Sequence, residues 1–323
     1  MRAARIHEPK GPEHVQIEDV PEPEVLDHAV LIDVKSAGVS FPDLLLSKGE
    51  YQIKPEPPFV LGSEGAGVVR AAPADSGFSA GDRVAFLTLG AYGEAVNSAP
   101  LMTFPLPDEL NFDEGAALVI NYHTALFALR DRGGLQAGET VVIQGAGGGV
   151  GTASIQVAKA MGARVLAVVS SEEKADAAFT AGADEVIFHG PEWRARVSEL
   201  TDGKGVELLL DPVGGDRFTD NLRVLAEGGR LLVVGFAEGS IPEVKVNRLL
   251  LRNTSVVGVA WGAYVGTRPE LAREIGETVN KMVAEGKIKP LIGSVHTLEE
   301  AEAALKQLDD RKATGKVVLQ ISQ

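Results

Sequence analysis

Val141-Val142-Ile143-Gln144-Gly145-Ala146-Gly147-Gly148-Gly149-Val150-Gly151 is the stretch that decides the fold of this chain. A β-branched apolar run of strand length meets five glycines. Beyond them, Ile155, Ala158 and Met161 fall on one helical face, Gly162 stops the pattern, and a second apolar run covers Arg164–Val169. Strand, glycine turn, helix and strand in that order set a pyrophosphate on a helix N-terminus. The spacing follows G-x-G-x-x-G with Ala146 first, Gly148 second and Gly151 third. A small first residue permits the tight turn, Gly148 lets the backbone approach phosphates, and Gly151 lets the helix lie close on the strand. Residues Ala146, Gly147, Gly148, Gly149 and Val150 are therefore predicted to cradle a dinucleotide.

The end of the second strand speaks to which dinucleotide. A site for NAD usually carries an acidic residue there, gripping the ribose 2′-hydroxyl. Here the sequence runs Val168-Val169-Ser170-Ser171-Glu172-Glu173-Lys174, with Ser170 in the decisive place. Serines 170 and 171 can donate to a phosphate, and Lys174 adds charge one turn into the next helix. The missing acid favours NADPH. The plainer reading is that Ser170 caps that helix, Glu173 completes a capping box and Lys174 is a solvated surface lysine.

Composition sets limits. The chain has 323 residues, enough for two domains, and its 45% hydrophobic and 24% charged residues suit a globular protein. No apolar run reaches membrane-spanning length, and the N-terminal residues lack the apolar core of a signal peptide, so the cytoplasm is the expected location. Cysteine is absent, which rules out disulfides and thiolate chemistry. A formal net charge of −14 opposes nucleic acids and anionic membranes. Any site for an anionic cofactor must therefore make its own local positive field.

Around the central stretch the chain changes character twice. Up to residue 110, short β-like runs at 15–17, 29–35, 66–69 and 83–86 alternate with Pro- and Gly-rich turns, which predicts an irregular, mostly β domain. Residues 113–133 turn helical, with Ala116, Ala117, Ile120, Thr124, Phe127 and Ala128 at helical spacings. From Thr140 strands alternate with helices: helix 172–181, strand 185–188, helix 192–200, strand 206–210, helix 217–227 ending at Gly228-Gly229, strand 230–234 and a last strand 254–260. That rhythm predicts a doubly wound parallel sheet. After Pro269 come an amphipathic helix, a strand at 291–295, a capped helix at Thr297-Leu298-Glu299-Glu300 and a final β-branched run, 316–321, expected to return to the first domain's sheet. The cofactor domain is then an insertion in a discontinuous second domain, with boundaries expected at 1–118, 119–262 and 263–323.

The ordered matches Gly38-Val39-Ser40-Phe41-Pro42-Asp43, Gly49-Glu50-Tyr51, Pro58–Val69, Ala80–Val84, Tyr122-His123-Thr124-Ala125, Ala146–Gly151, Gly182–Ile187 and Thr314–Val318 run nearly end to end. On them the chain resembles the medium-chain dehydrogenase/reductase superfamily and, within it, the zinc-free quinone oxidoreductase (zeta-crystallin-like) branch. The resemblance implies a Rossmann α/β domain inserted in a β-rich, GroES-like catalytic domain, a site in the cleft between them, and homodimers paired through the edge strand, here 254–260. It also implies two departures from zinc alcohol dehydrogenases, which carry Cys near position 40 and Gly-His-Glu where this chain has Gly62-Ser63-Glu64. The six histidines, His7, His14, His28, His123, His189 and His296, lack ligand spacing, so no metal is expected. Without a Lewis acid to polarise an alcohol, hydride delivery to a quinone or to the β-carbon of an enone is the chemistry left. Alternatives within the resemblance are a trans-2-enoyl-CoA or acyl-carrier thioester reductase, and a non-enzymatic crystallin-like or RNA-binding protein; the acidic balance opposes the last.

Several residues are candidates for that chemistry. Tyr51 falls where enoyl-thioester reductases of the superfamily place a catalytic tyrosine, and its phenol could hydrogen-bond a carbonyl or protonate an α-carbon; it could equally pack a substrate as a lid. Asp43 could polarise a substrate group or cap a helix at 44–47. Asn121 and Thr124 stand near where the family places the nicotinamide, while His123 between them reads as a packing or surface residue. Gly235 and Phe236 end a parallel strand beside the cofactor, and Trp261 and Tyr264 could wall a flat substrate or pack the core. The resemblance further suggests Arg311, or Lys312, for the 2′-phosphate and His189 for the adenosine end.

Overall fold

The computed structural model describes residues 1–322. They form two compact units: Met1–Ile120 with Arg268–Ala284 and the segment from Lys289 onward, and Asn121–Thr267 with Glu285–Ile288. In the first unit, strands β1 (Arg2–Ile6), β2 (Val15–Asp19), β3 (Val30–Val39), β4 (Phe59–Val60), β5 (Glu64–Ala71), β6 (Arg83–Leu87), β7 (Ala95–Ser98) and β8 (Thr103–Pro105) precede the second unit. Of these, β2, β3, β5 and β6 fall on the four short β runs read from sequence and pass their C-terminal ends, while β1, β4, β7 and β8 fall outside those runs. The second unit holds β9 (Thr140–Ile143), β10 (Arg164–Val169), β11 (Glu185–Phe188), β12 (Val206–Asp211), β13 (Leu225–Val233) and β14 (Ser255–Gly258). Two more strands, β15 (Ile292–Thr297) and β16 (Lys316–Gln320), belong again to the first unit.

All neighbours in the second unit's sheet pair parallel, in the order β11-β10-β9-β12-β13-β14. Chain order reverses between β9 and β12, so their carboxyl ends flank the switch-point crevice of a doubly wound sheet. The inner strands are buried on both faces, as runs such as Val165–Val169 and Leu208–Leu210 require when helices cover both sides. On one side Val142, Leu166, Leu209 and Leu231 pack with Trp193, Val197, Phe218 and Leu222 from the helices. The first unit builds a seven-stranded sheet, β15-β16-β3-β5-β6-β8 with β7 also on β3, and a small sheet β2-β1-β4. As expected, β16 returns to the first unit's sheet, antiparallel to β3 from Val317 opposite Val39 to Gln320 opposite Ser36.

Three sequence expectations are corrected. The helix read at 217–227 is Phe218–Arg223, and β13 starts at Leu225, because Gly228 and Gly229 lie inside that strand rather than at a helix end. The helical run at 113–133 is a chain of short α and π segments, with π turns at Val119–His123 and Phe127–Arg132. The helix beside Asp43 spans Phe41–Lys48, and its cap is Ser40. Asp43 sits three residues in and completes a capping box by accepting the Ser40 N–H at 2.9 Å.

Candidate active site

In the second unit the turn after β9 takes the shape its glycines require. Gly145 has φ 58°, and a Cβ on Gly151 would lie 2.3 Å from the Gly145 carbonyl oxygen, so only glycine lets the helix Gly149–Ala160 sit this close to the strand end. Gly148 is the N-cap of that helix, and a Cβ there would meet nothing closer than 3.6 Å, which leaves its surface open to a ligand. Gly147 lies against the Lys174 backbone, joining the turn to the start of the next helix. That helix, Glu172–Thr180, is capped by Ser171, whose hydroxyl accepts from Lys174 N. This corrects the expectation that Ser170 caps it, and it leaves the Ser170 hydroxyl to the Lys174 ammonium, 3.3 Å away. Ser170 and Lys174 thus stand together at the carboxyl end of β10.

The loops after β12 and β13 complete the floor. Asp211, buried at the end of β12, accepts from Val213 N and Gly214 N and from Asn221, whose amide oxygen in turn accepts from Gln144. The loop so held places the Val213 side chain against Gly145. Ala237 N and Glu238 N bond back to Pro212 and Val213, and Phe236 packs on Gly214. Gly235 and Phe236 therefore stand beside the glycine turn's own neighbours. His189 is exposed, with partial burial and the positive charge of Arg217 lowering its pKa from the usual value.

Asn121 is buried and Thr124 half-buried on the helical run. His123, fully buried, packs edge-on against Trp261 with ring centroids 5.3 Å apart, and burial drives its pKa down to about 3. Trp261 opens a short helix, Trp261–Val265, and is 4% exposed, so in this unit it packs the core. Tyr264 packs on Phe127 at 5.1 Å. Tyr122, on the same run, donates to Gln156 at 2.9 Å.

The first unit contains a buried polar cluster that the sequence showed only in part. Gly62, with φ 95°, has no room for a Cβ beside Tyr92, so the 90–92 turn lies flat on it through bonds to Gly62 and Leu61 carbonyls. This brings the Tyr92 hydroxyl 3.2 Å from Asp43 Oδ2, to which it donates, while Ser63 Oγ donates to Asp43 Oδ1 at 2.5 Å. Burial pushes Asp43 up to about 6, against the lowering effect of the Ser63 and Ser40 bonds. Beside it, Lys316 is 3% exposed and pairs with Glu64, 0% exposed, and with Ser40 Oγ. The second Glu64 oxygen accepts the Ile120 N–H at 2.7 Å. Tyr51 is half-buried against the same core, and burial first and the Asp43 charge second raise its pKa, so its phenol keeps its proton at neutral pH. Ser63, Tyr92 and Lys316 were missed as candidates because each acts through an interior contact that no local spacing signals. Arg311 has a left-handed backbone, φ 58°, and Lys312 pairs with Asp310.

Comparison with known proteins fits these two units. The model described as alcohol dehydrogenase GroES-like domain matches residues 26–108, and that described as zinc-binding dehydrogenase matches 149–277. Quinone oxidoreductase-like protein 2 of Bos taurus is 37% identical over 325 residues, covering 99% of this chain and 92% of that protein. The chain belongs to the quinone oxidoreductase branch of the medium-chain dehydrogenase/reductase superfamily. Among solved structures of this superfamily, a probable oxidoreductase from Mycobacterium abscessus matches with TM-score 0.92 and 46% identity over 99% of this chain and 98% of that one. The Thermus thermophilus quinone oxidoreductase, studied alone and with NADPH, matches with TM-score 0.85 and 34% identity over 99% and 100%.

The zinc named by the second family model has no fitting donors in the cluster. Ser40 and Ser63 supply neutral hydroxyls where zinc needs thiolate, imidazole or free carboxylate, and Glu64 is committed to the Lys316 ammonium and a backbone N–H. Among the described residues no three His, Cys, Asp or Glu side chains group as metal ligands, and no helix is long and apolar enough to cross a membrane.

Proposed function

We propose that this chain is an NADPH-dependent oxidoreductase that reduces quinones or small α,β-unsaturated carbonyl compounds without a metal ion. The observation that carries the reading is the Asp43, Ser40, Ser63, Glu64 and Lys316 cluster, whose buried cation is an ammonium of the chain itself. A substrate that is already electrophilic needs only hydrogen bonds and a proton, and hydroxyls beside a carboxyl raised to about 6 supply both. The glycine turn and the N-terminus of helix Gly149–Ala160 hold the pyrophosphate, and Ser170, Ser171 and Lys174 hold the 2′-phosphate. Bound NADPH supplies the hydride. Asn121, Thr124, Gly235 and Phe236 line its nicotinamide and ribose side, with His189 and Arg311 toward the adenosine. Tyr51 donates to the substrate carbonyl and steadies the oxyanion that hydride addition leaves.

NADPH oxidation followed with a panel of quinones and enones, with and without chelator, tests this. Turnover of several acceptors that survives chelation and exceeds the NADH rate is expected; no turnover with any acceptor sinks the reading. A thioester substrate has less support, because no concentrated basic run is present to hold a nucleotide tail.

A further inference from the structure

We propose that Ser63 is the group that hands the second hydrogen, as a proton, to the reduced substrate, with Asp43 as its proton store and Tyr92 holding that carboxyl in place. The inference deepens the reductase reading and rests on it. Asp43 is 0% exposed and cannot itself meet a substrate or water. Three groups bond to its carboxyl: the Ser40 N–H, the Tyr92 O–H and the Ser63 O–H. Ser40 and Tyr92 are buried, while Ser63 is partly exposed. A proton on Asp43 therefore has one way out, through the Ser63 hydroxyl. The capping role of Asp43 uses only Oδ2, toward Ser40 N, so it does not account for the 2.5 Å bond from Ser63 to Oδ1.

The charges around Asp43 suit a store. Lys316 and Glu64 face it as a pair whose fields oppose each other, and Tyr51 and Tyr92 face it as neutral phenols. With the carboxyl near 6, protonated and ionised forms are both populated in the neutral range. A serine hydroxyl rotates freely enough to donate inward or outward, as the carboxyl loses or holds its proton. In the step itself, hydride arrives on the β-carbon and the double-bond pair moves onto the α-carbon and the carbonyl oxygen. The Ser63 O–H bond breaks, its proton forms the new α-carbon C–H bond, and the Asp43 carboxyl proton passes to Ser63 Oγ. The carboxylate left behind is held by Tyr92 and Ser40 and takes its proton back from water by the same route, through the Ser63 hydroxyl. NADPH is oxidised by two electrons and the carbon–carbon double bond is reduced by two.

The test compares Ser63→Ala, Ser63→Thr, Asp43→Asn and Tyr92→Phe in steady-state kinetics, solvent isotope effect and infrared titration. Ser63→Ala is expected to lower kcat about a hundredfold with KM little changed and to raise the solvent isotope effect. Ser63→Thr restores most of the rate, and Asp43→Asn costs no more in the Ser63→Ala background. Wild-type kcat falls as pH rises through about 6, and this limb is absent in Asp43→Asn. Without any cofactor, a carboxylic-acid infrared band that Asp43→Asn removes should shift in Ser63→Ala and Tyr92→Phe. If Ser63→Ala keeps the wild-type kcat and isotope effect while the wild type reduces enones, this inference alone fails. If the wild type reduces none, both it and the reductase reading fail.

Discussion

Asp43 shows what an interior acid costs. In the unfolded chain its carboxyl titrates near 3.8, in the folded chain near 6, with burial the largest cause. Between those values the unfolded state gives up its proton first, so unfolding becomes easier as pH rises, and above about 6 the full cost is present. The difference corresponds to about 3 kcal/mol. Asp43→Asn removes that titration. Urea midpoints at pH 4.5 and 7 should therefore show the variant gaining on the wild type as pH rises; a gap that stays constant would contradict a buried carboxyl raised to about 6. Legibility at this scale was uneven. Asp43 stood out by its place after Ser40-Phe41-Pro42, as a group to polarise a substrate or as a helix cap, but local spacing reveals an N-terminal acid and not the hydroxyls that fold onto it from 63 and 92. Ser170 was read as the cap of the following helix, and only the extended backbone at Ser171, directly before Glu172, assigns the cap to Ser171 instead.

At the scale of elements, strands read best where both period and punctuation agree. Residues 140–143 and 164–169 are β-branched and bounded by glycine, and they are β9 and β10. The helix at 217–227 failed because Gly228-Gly229 looks like a stop signal while lying within a strand, where Gly228 faces open space and Gly229 packs against Leu225 and the Val206 carbonyl. The π turns could not be read at all, since segments this short do not show in their spacing which carbonyl each N–H reaches. One element carries a further expectation. Strand β14 is the outer edge of the parallel sheet, and Val256 on it is exposed, as are Leu250 and Leu251 shortly before it in the chain, both more than three-quarters exposed. An uncovered apolar edge is an invitation to pair with a second copy. Sedimentation should show a dimer for the wild type and a monomer for Val256→Lys, whose charge on the edge opposes pairing. A lysine variant that stays dimeric would move the interface elsewhere.

For the molecule as a whole, the net charge of −14 sets the problem that the cofactor site solves locally. Lys174 beside Ser170 is the positive group expected to choose NADPH over NADH. Ligand that binds only the folded state raises the melting temperature by an amount that grows with the logarithm of its concentration over its Kd. Saturating NADPH should therefore stabilise the wild type more than NADH does, and Lys174→Met should bring the two shifts together by weakening NADPH about tenfold. Equal shifts in the wild type would remove Lys174 from that role. The α/β rhythm and the returning last strand, both legible from sequence, fixed the two-part architecture in advance; which side chains gather inside the first unit was not legible, because strands far apart in the chain supply them.

Strand β16 lies between β15 and β3, so its edge contacts are interior to the first unit's sheet. Every strand of the second unit is made before β16 emerges during synthesis, whereas β3 must wait through some 270 intervening residues for its neighbour. The nascent protein thus acquires a finished parallel sheet while β3 is still without its β16 partner, and a chain truncated before residue 316 would hold one structured half and one unclosed half.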